Sequence, residues 1–308
     1  MKNVFSPRAP LSSDMIREKW IEMVLLIATG ISAVAIFFIL GLLIYFCLPL
    51  FASGGIEAIL AWQWKPFNGR FGILPMCVGS LSLSLCALGM AFPPAVGICC
   101  FVTILAPGKL ARFFLILIHF MTSIPTVIYG FVSVFLLVPL VREWFESGTG
   151  FSFLTAALCL SLLILPTIVL VFHARLQQLD PALRLSSEAM GLTPAQQLRH
   201  VLIPVASRGL VVALVLGFGR AIGDTMISLM LAGNAPQVPH SLLASIRTLT
   251  AHIALVLAVD SQSMPYRSVF ASGLILFLLI GAVNLFIRRL DGRAPNRRTK
   301  DRSHEEDV

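Results

Sequence analysis

Six long apolar runs constrain the fold of this 308-residue chain more than any other feature of its sequence. A helix needs about 20 predominantly apolar residues to cross the hydrocarbon core of a bilayer. Most chains cross the bilayer as helices, because a helix satisfies its own backbone hydrogen bonds. The chain is therefore predicted to be an all-α polytopic membrane protein with six transmembrane helices, at residues 21–48, 74–105, 113–141, 153–173, 209–232 and 269–287.

The composition agrees with a membrane protein and excludes an ordinary soluble domain. Hydrophobic residues make up 57% of the chain and charged residues only 12%. Soluble domains carry about 25% charged residues. The six cysteines fall within or at the edge of apolar runs, without paired or metal-ligand spacing, and we interpret them as small buried hydrophobes.

Lysine and arginine residues are distributed unevenly between the two sides that six spans define. If the N-terminus is cytoplasmic, 17 of these residues lie inside, 5 lie outside, and Arg220 lies within a span. The positive-inside rule therefore predicts an N-in/C-in orientation. This orientation accounts for the net charge of +8 without a nucleic acid as a partner.

The apolar runs also define the organisation of the chain. We predict a cytoplasmic N-terminal segment at residues 1–20, a transmembrane domain at 21–290 and a disordered cytoplasmic tail at 291–308. The first run is too long for a secretory signal and is interpreted as a retained helix. Outside the spans, Trp62 and Trp64 suggest an interfacial helix, and residues 253–259 suggest a short re-entrant or interfacial one.

Prolines fall inside three of the predicted spans. They are Pro93 with Pro94, Pro125 and Pro166. Broken helices line cavities in transporters, but a simple packing kink is an equally good interpretation of any one of these prolines.

Two charged residues, Arg220 and Asp224, lie inside the fifth apolar run. Four residues apart on one helix, they would share a face. Arg220 lies about 16 Å into its span, close to the middle of the core. A charge there costs roughly 2.5–3.5 kcal/mol on insertion scales, which points to a function. Two interpretations stay open: a substrate path with Asp224 as an exchangeable counter-ion, and a fixed ion pair that holds the fold together.

The longest inside loop, residues 174–208, encodes two short helices joined by a glycine turn. Asp180 followed by Pro181 predicts a helix start, and Gly191 predicts a left-handed end. Thr193 with Gln196 then has capping-box spacing, which starts a second helix. A plain connector does not need two capped helices. We therefore favour a docking surface for a cytoplasmic partner.

The chain lacks the motifs of several other chemistries. No phosphate-binding loop is present, since Gly108-Lys109 lacks both the earlier glycine and the following hydroxyl. The six histidines are scattered without ligand spacing, so we expect no metal site. No catalytic residue is assigned, and any ATP would have to bind a separate polypeptide.

The loop and its flanking segments resemble the phosphate-specific permeases of ABC importers. Gly191, Val201, Ile203 and Pro204 match the spacing of the coupling-loop signature. The further matching segments, in chain order, are Phe71-Gly-Ile-Leu-Pro75, Ile124-Pro-Thr-Val-Ile-Tyr-Gly130, Leu165-Pro166-Thr167, Arg220-Ala-Ile-Gly-Asp-Thr-Met226 and Gly233-Asn234. The resemblance covers about residues 60 to 290, and the Arg220–Met226 motif looks more like the PstC type than the PstA type.

The resemblance implies a type I ABC-importer permease fold and a role in phosphate import across the bacterial inner membrane. Its implied partners are an ATPase dimer that carries the ATP, a second homologous permease and a periplasmic phosphate-binding protein. Implied path residues are Arg220 and Asp224, the latter standing where the family usually has glutamate. The implied coupling residues are Ser186, Ser187, Glu188, Ala189, Gly191 and Pro204.

The coupling loop also departs from the family pattern. Leu185-Ser186-Ser187 stand where the signature has Glu-Ala-Ala, and the nearest acid is Glu188. Three other functions stay open: a permease for another oxyanion such as sulfate or molybdate, a stand-alone ion-coupled secondary transporter or channel, and a non-transporting sensor or scaffold.

Overall fold

The computed structural model describes residues 12–52, 59–146, 148–257 and 264–291. Its helices are α1 (Ser12–Ala52), α2 (Leu74–Cys100), α3 (Gly108–Ser123), α4 (Thr126–Phe145), α5 (Phe153–Gln177), α6 (Pro181–Ala189), α7 (Pro194–Gln197), α8 (Ile203–Val205), α9 (Ser207–Gly223), α10 (Met226–Leu231), α11 (Leu249–Val256) and α12 (Met264–Asp291). Two π turns, Phe101–Leu105 and Leu198–Leu202, extend α2 and link α7 to α8.

Five of the described helices are long and apolar enough to cross a membrane. They are α1, α2 with its π turn, α4, α5 and α12. A sixth span is reached if the helical segment Pro194–Val205 and α9, which meet at an angle of 72°, count as one. The predicted all-α polytopic architecture is confirmed.

Helix α5 lies at the centre of the bundle. In its most apolar window 67% of the residues are buried, against 6% in α1. Helices α2 and α9 pack closely on it. Small side chains make the contact with α2 close, because Ala87, Ala91, Ala156 and Ala157 are all fully or almost fully buried.

The third predicted span, residues 113–141, is wrong as a single helix. The chain forms α3 and α4, with extended backbone at Ile124 and Pro125 between them. Proline removes an N–H donor and disfavours helical backbone in the residue before it, so the break falls here. By contrast, α2 continues through Pro93 and Pro94, and α5 continues through Pro166.

The fifth predicted span, residues 209–232, is also wrong as a single helix. Helix α9 ends at Gly223, and α10 begins at Met226. Asp224 between them has extended backbone, with φ −75° and ψ 126°. The break therefore falls on one of the two charged residues themselves.

In the described residues before α2, Trp62 and Trp64 lie outside any helix, so the predicted interfacial helix is wrong at these two positions. Strand β1 (Trp64–Lys65) pairs antiparallel with β2 (Arg70–Phe71) around a single turn of 3-10 helix, Pro66–Asn68. Trp62 is largely exposed, but Trp64 is buried against His252 of α11. The second predicted short helix is confirmed as α11, although its start lies four residues earlier, at Leu249.

Some predictions concern chain ends that the structure describes only in part. Helix α1 begins at Ser12 and so overlaps the predicted N-terminal segment 1–20. The predicted tail, residues 291–308, lies outside the described residues except for its first.

Candidate functional site

The break between α9 and α10 is built around the Asp224 carboxylate. Oδ2 of Asp224 accepts a hydrogen bond from the backbone N–H of Ile227 at 2.8 Å. That N–H belongs to the first turn of α10, which has no partner within its own helix. Asp224 therefore stabilises the start of α10, and its negative charge suits the positive end of that helix.

Arg220 lies in the last turn of α9 and is half-buried. Its Nη1 donates a hydrogen bond of 2.8 Å to the hydroxyl of Thr167 on α5. In the part of the chain that the structure describes, this is the only hydrogen bond of the guanidinium. A guanidinium has five N–H donors, so most of them are available to a ligand.

No salt bridge joins Arg220 to Asp224 among the described residues, because the two side chains bond to different partners. The prediction that one helix carries both on a single face is wrong, since α9 ends before Asp224. The fixed ion pair is therefore not seen in this conformation. The role of Asp224 as an exchangeable counter-ion stays a prediction.

Polar groups from a distant segment hold the backbone at the break. Thr250 of α11 donates through its hydroxyl to the carbonyl oxygen of Asp224 at 3.1 Å. Thr248 donates to the hydroxyl of Ser228 on α10 at 3.0 Å. Carbonyls freed by a helix break need such partners at membrane depth. These residues were missed by sequence reasoning, although hydroxyls clustered in so apolar a chain were a usable signal.

The segment between α10 and α11 folds back onto the bundle. Gly233 has a left-handed φ of 78° and forms a bridge with Ile246. The Ser80 hydroxyl on α2 accepts from the N–H of Leu249 at 2.7 Å. Arg247 is half-buried in this segment, and its Nε donates to the carbonyl of Asn234 at 2.9 Å. The fold-back fixes α11 beside the break.

His252 of α11 is fully buried beneath Trp64. Burial, and to a lesser extent the nearby Arg247 charge, lowers the pKa of His252 to about 4. The imidazole is therefore neutral at pH 7, and its Nε2 lies 3.3 Å from the hydroxyl of Ser268. This arrangement is typical of a packed structural histidine.

Of three glycines near the charged residues, only one permits a close helix approach. A Cβ on Gly217 would lie 2.8 Å from a side-chain carbon of Ile168 on α5. A Cβ on Gly219 would meet Val283 at 3.7 Å, and one on Gly223 would meet nothing within 4 Å. Gly217 therefore sets the contact that holds α9, and with it Arg220, against α5.

The predicted pair of capped helices around Gly191 is confirmed, although the second helix gives way to a π turn at Leu198. Asp180 accepts from the N–H of Ala182 at 2.8 Å, and Gly191 has a left-handed φ of 75°. Thr193 and Gln196 form the reciprocal capping box. The connection is shorter than the predicted loop of residues 174–208, because α5 extends to Gln177 and α9 begins at Ser207.

The predicted coupling residues divide into two groups by exposure. Ser187 is buried and accepts from the amide of Gln197, so it holds α6 against α7. The remaining residues face outward, and they are Ser186, Glu188, Ala189, Gly191 and Pro204. The pair thus combines a fixed internal contact with an exposed surface that a partner can reach.

The described residues hold no group of three or more histidine, cysteine or acidic side chains able to bind a metal. The six cysteines are free and buried or partly buried.

Comparison with known proteins shows the family of the chain. Residues 95–294 match the family described as binding-protein-dependent transport system inner membrane component. The probable ABC transporter permease protein YqgH of Bacillus subtilis is 32% identical, over 77% of this chain and 78% of its own length. The phosphate transport system permease protein PstC of Pasteurella multocida is 31% identical, over 78% and 80%.

Solved structures share the fold at low sequence identity. An inward-facing methionine ABC transporter, MetNI, covers 74% of this chain and 99% of its own with a TM-score of 0.57 and 21% identity. A bacterial importer of the acidic polysaccharide alginate covers 92% and 99%, with a TM-score of 0.59 and 15% identity. The alginate transporter has also been crystallised with a substrate-bound periplasmic protein. The chain belongs to the family of inner-membrane components of binding-protein-dependent transport systems and is a permease subunit of an ABC importer.

Proposed function

We propose that this permease carries inorganic phosphate, and that Arg220 contacts the anion on its path. The observation that carries the proposal is the half-buried guanidinium, which makes one hydrogen bond to Thr167 and no salt bridge among the described residues. Arginine presents a rigid fork of donors that matches a phosphate oxyanion and stays charged at any working pH.

The placement of Arg220 supports weak and reversible binding. Helix α9, which carries Arg220, ends three residues later at Gly223. Irregular backbone at membrane depth is tolerated where it lines a cavity. In this conformation the Asp224 carboxylate is held by the first turn of α10, which leaves the guanidinium available. Relatives 29% and 31% identical carry the name phosphate transport system permease protein, which favours phosphate among the oxyanions.

We infer the partners from the same arrangement. The exposed surface of α6, which includes Glu188, and the following turn at Gly191 form the contact for an ATPase subunit that binds and hydrolyses ATP. A second homologous permease completes the path, because one bundle encloses little of it. A periplasmic phosphate-binding protein delivers the anion to the opposite side. These assignments require the N-in/C-in orientation in the bacterial inner membrane that the basic residues predict.

The mechanism that follows is a rocking motion transmitted from α6 to the break. Closure of two ATPases on ATP would move the α6–α7 pair as one body, since Ser187 and Gln197 hold it together. The π turn Leu198–Leu202 and α8 connect that pair directly to α9, which carries Arg220. Movement of the pair would therefore change access to the guanidinium from either side.

Labelled-phosphate uptake in a strain lacking other phosphate systems tests the proposal. Cells with the subunit and its partners should take up phosphate, and cells with the subunit deleted should not. Excess sulfate or molybdate should leave the uptake unchanged. Uptake that persists without the subunit would contradict the phosphate proposal, and strong competition by sulfate or molybdate would assign the chain to another oxyanion.

A further inference from the structure

A basic cleft lies where the helix pair meets the bundle, apart from the residues assigned to the substrate path. Its volume is about 290 Å³. The residues that line it include Arg112 and Leu115 of α3, Arg184 of α6, and Thr103 of the π turn with His173 of α5, a pair that we call the floor. Two separate helices, α3 and α6, thus bring two arginines into one cleft.

The two arginines carry the charge of the cleft, because its histidine is neutral. The Thr103 hydroxyl donates to the carbonyl of Cys99 at 2.7 Å, so it accepts from Nδ1 of His173 at 2.9 Å. Nε2 of the same ring then accepts from the amide of Gln177 at 2.9 Å. Both ring nitrogens are satisfied by a single ring proton, and the imidazole serves as a fixed floor.

Within the described ranges of the chain, no acidic side chain pairs with either arginine. The residues that line the cleft include no aspartate or glutamate. Among the described residues, Arg112 and Arg184 make no salt bridge and their guanidinium groups make no hydrogen bond. Glu188, one turn after Arg184 on α6, is exposed and makes no salt bridge to it. Two unpaired guanidinium groups in one cleft favour an anion with several oxygens.

We propose that this cleft, formed by Arg112, Arg184 and the Thr103–His173 floor, binds a phosphate group. The group could be carried by free inorganic phosphate or by the headgroup of an anionic lipid, since both present the same oxygens. The bound group would bridge α3 to α6 and so restrain the helix that we assign to ATPase contact. The binding site itself does not depend on which anion the permease transports.

The test uses the full chain, reconstituted into phosphatidylcholine nanodiscs. One arm measures binding of labelled inorganic phosphate in an Arg220→Gln background, which removes the proposed path site. The other arm adds phosphatidylglycerol and counts the anionic lipids retained by each chain, using native mass spectrometry. If substitution of a cleft arginine lowers the affinity in the first arm, the ligand is free phosphate. If it lowers the number of retained lipids in the second arm, the ligand is the lipid headgroup.

Arg112→Gln and Arg184→Gln are each expected to weaken binding of one probe by at least about tenfold, as loss of a charge-assisted hydrogen bond predicts. Arg112→Lys keeps the charge but not the fork, so it should bind more tightly than Arg112→Gln. The matched control is Lys109→Gln, an exposed cation on the same helix that does not line the cleft.

Two outcomes would overturn the proposal. In the first, Arg112→Gln binds both probes as tightly as the unchanged chain. In the second, Lys109→Gln weakens binding as much as Arg112→Gln, which would show a general attraction of basic residues to anions at the membrane surface. Because the phosphate arm lacks Arg220 and the lipid arm involves no transport, neither outcome bears on the proposed transport function.

Discussion

Two helix breaks in this permease are stabilised in opposite ways. At Gly191 the chain turns between α6 and α7, and every partner lies close in sequence. The caps act within a few residues, and Gln197 bonds to Ser187 and to the carbonyl of Arg184, 10 and 13 residues away. At Asp224 the backbone between α9 and α10 is held by Thr250, 26 residues away, and Arg220 beside it bonds to Thr167, 53 residues away. The turn at Gly191 is a local structure, whereas the break at Asp224 is a product of tertiary packing.

The difference follows from the solvent around each break. Water can satisfy any backbone group that the exposed turn leaves free. No water from the lipid core can satisfy the polar groups at the break within the membrane, so these groups need partners from the folded bundle. Substitutions far away in the chain should therefore destabilise the break next to Arg220. Their cost in stability should exceed the cost of a substitution at the Gly191 turn itself.

The largest effect should come from Gly79, which lies on α2 and far from Asp224 in sequence. A Cβ on Gly79 would lie 2.6 Å from the backbone oxygen of Arg247, in the segment that folds back beside the break. Gly79→Ala should destabilise the protein by about 3 kcal/mol, because a backbone oxygen cannot move aside cheaply. Thermal unfolding in detergent measures the loss.

Gly89→Ala on the same helix is the control for Gly79→Ala, since its Cβ would meet nothing within 4 Å. This substitution should stabilise α2 slightly or leave it unchanged. Equal melting temperatures for the two variants would contradict the assigned role of the fold-back.

A smaller effect is expected from removing the cap of α10. Asp224→Ala leaves the N–H of Ile227 without its partner and should cost about 2 kcal/mol. Asp224→Asn keeps an acceptor oxygen and should lose only a few tenths of a kcal/mol. Unfolding in detergent distinguishes the two substitutions. If Asp224→Asn is as unstable as Asp224→Ala, the carboxylate acts through its charge and the capping account fails.

The smallest effect is expected at the turn between α6 and α7. Gly191 has φ 75°, but a Cβ there would meet nothing within 4 Å, so only backbone strain opposes a side chain. Gly191→Ala should cost about 1 kcal/mol, and Gly191→Asn less, since asparagine tolerates left-handed backbone. Melting temperatures of the two variants test this order. If Gly191→Ala loses more stability than Gly79→Ala, the claim that the membrane break depends more on distant contacts is contradicted.

The same contrast explains what the sequence could predict. The caps and the turn of the α6–α7 pair were predicted, because Asp180, Gly191 and Thr193 act on their immediate neighbours. The π turn that follows α7 was not predicted. The apolar runs likewise predicted the polytopic fold. The charged residues in the fifth run coincide with the position where the helix is interrupted, but the interruption was not predicted.

The failures came from contacts between distant residues. A helical periodicity could not show that Asp224 leaves α9, because its partners lie on α10 and α11. Prolines gave an equally incomplete signal: Pro125 ends a helix, while Pro93, Pro94 and Pro166 lie within continuous ones. Whether a helix continues past a proline depends on neighbours that satisfy the freed carbonyl, which one sequence does not show.

The central claim is that Arg220 contacts phosphate on the transport path. The direct measurement is initial-rate uptake of labelled phosphate by Arg220→Gln, beside Arg142→Gln as an exposed arginine control. With normal assembly of both variants, Arg220→Gln should reduce uptake about a hundredfold, equivalent to about 3 kcal/mol of lost interaction with the anion. The control should transport normally. An Arg220→Gln permease that assembles and imports phosphate at the unchanged rate would contradict the account.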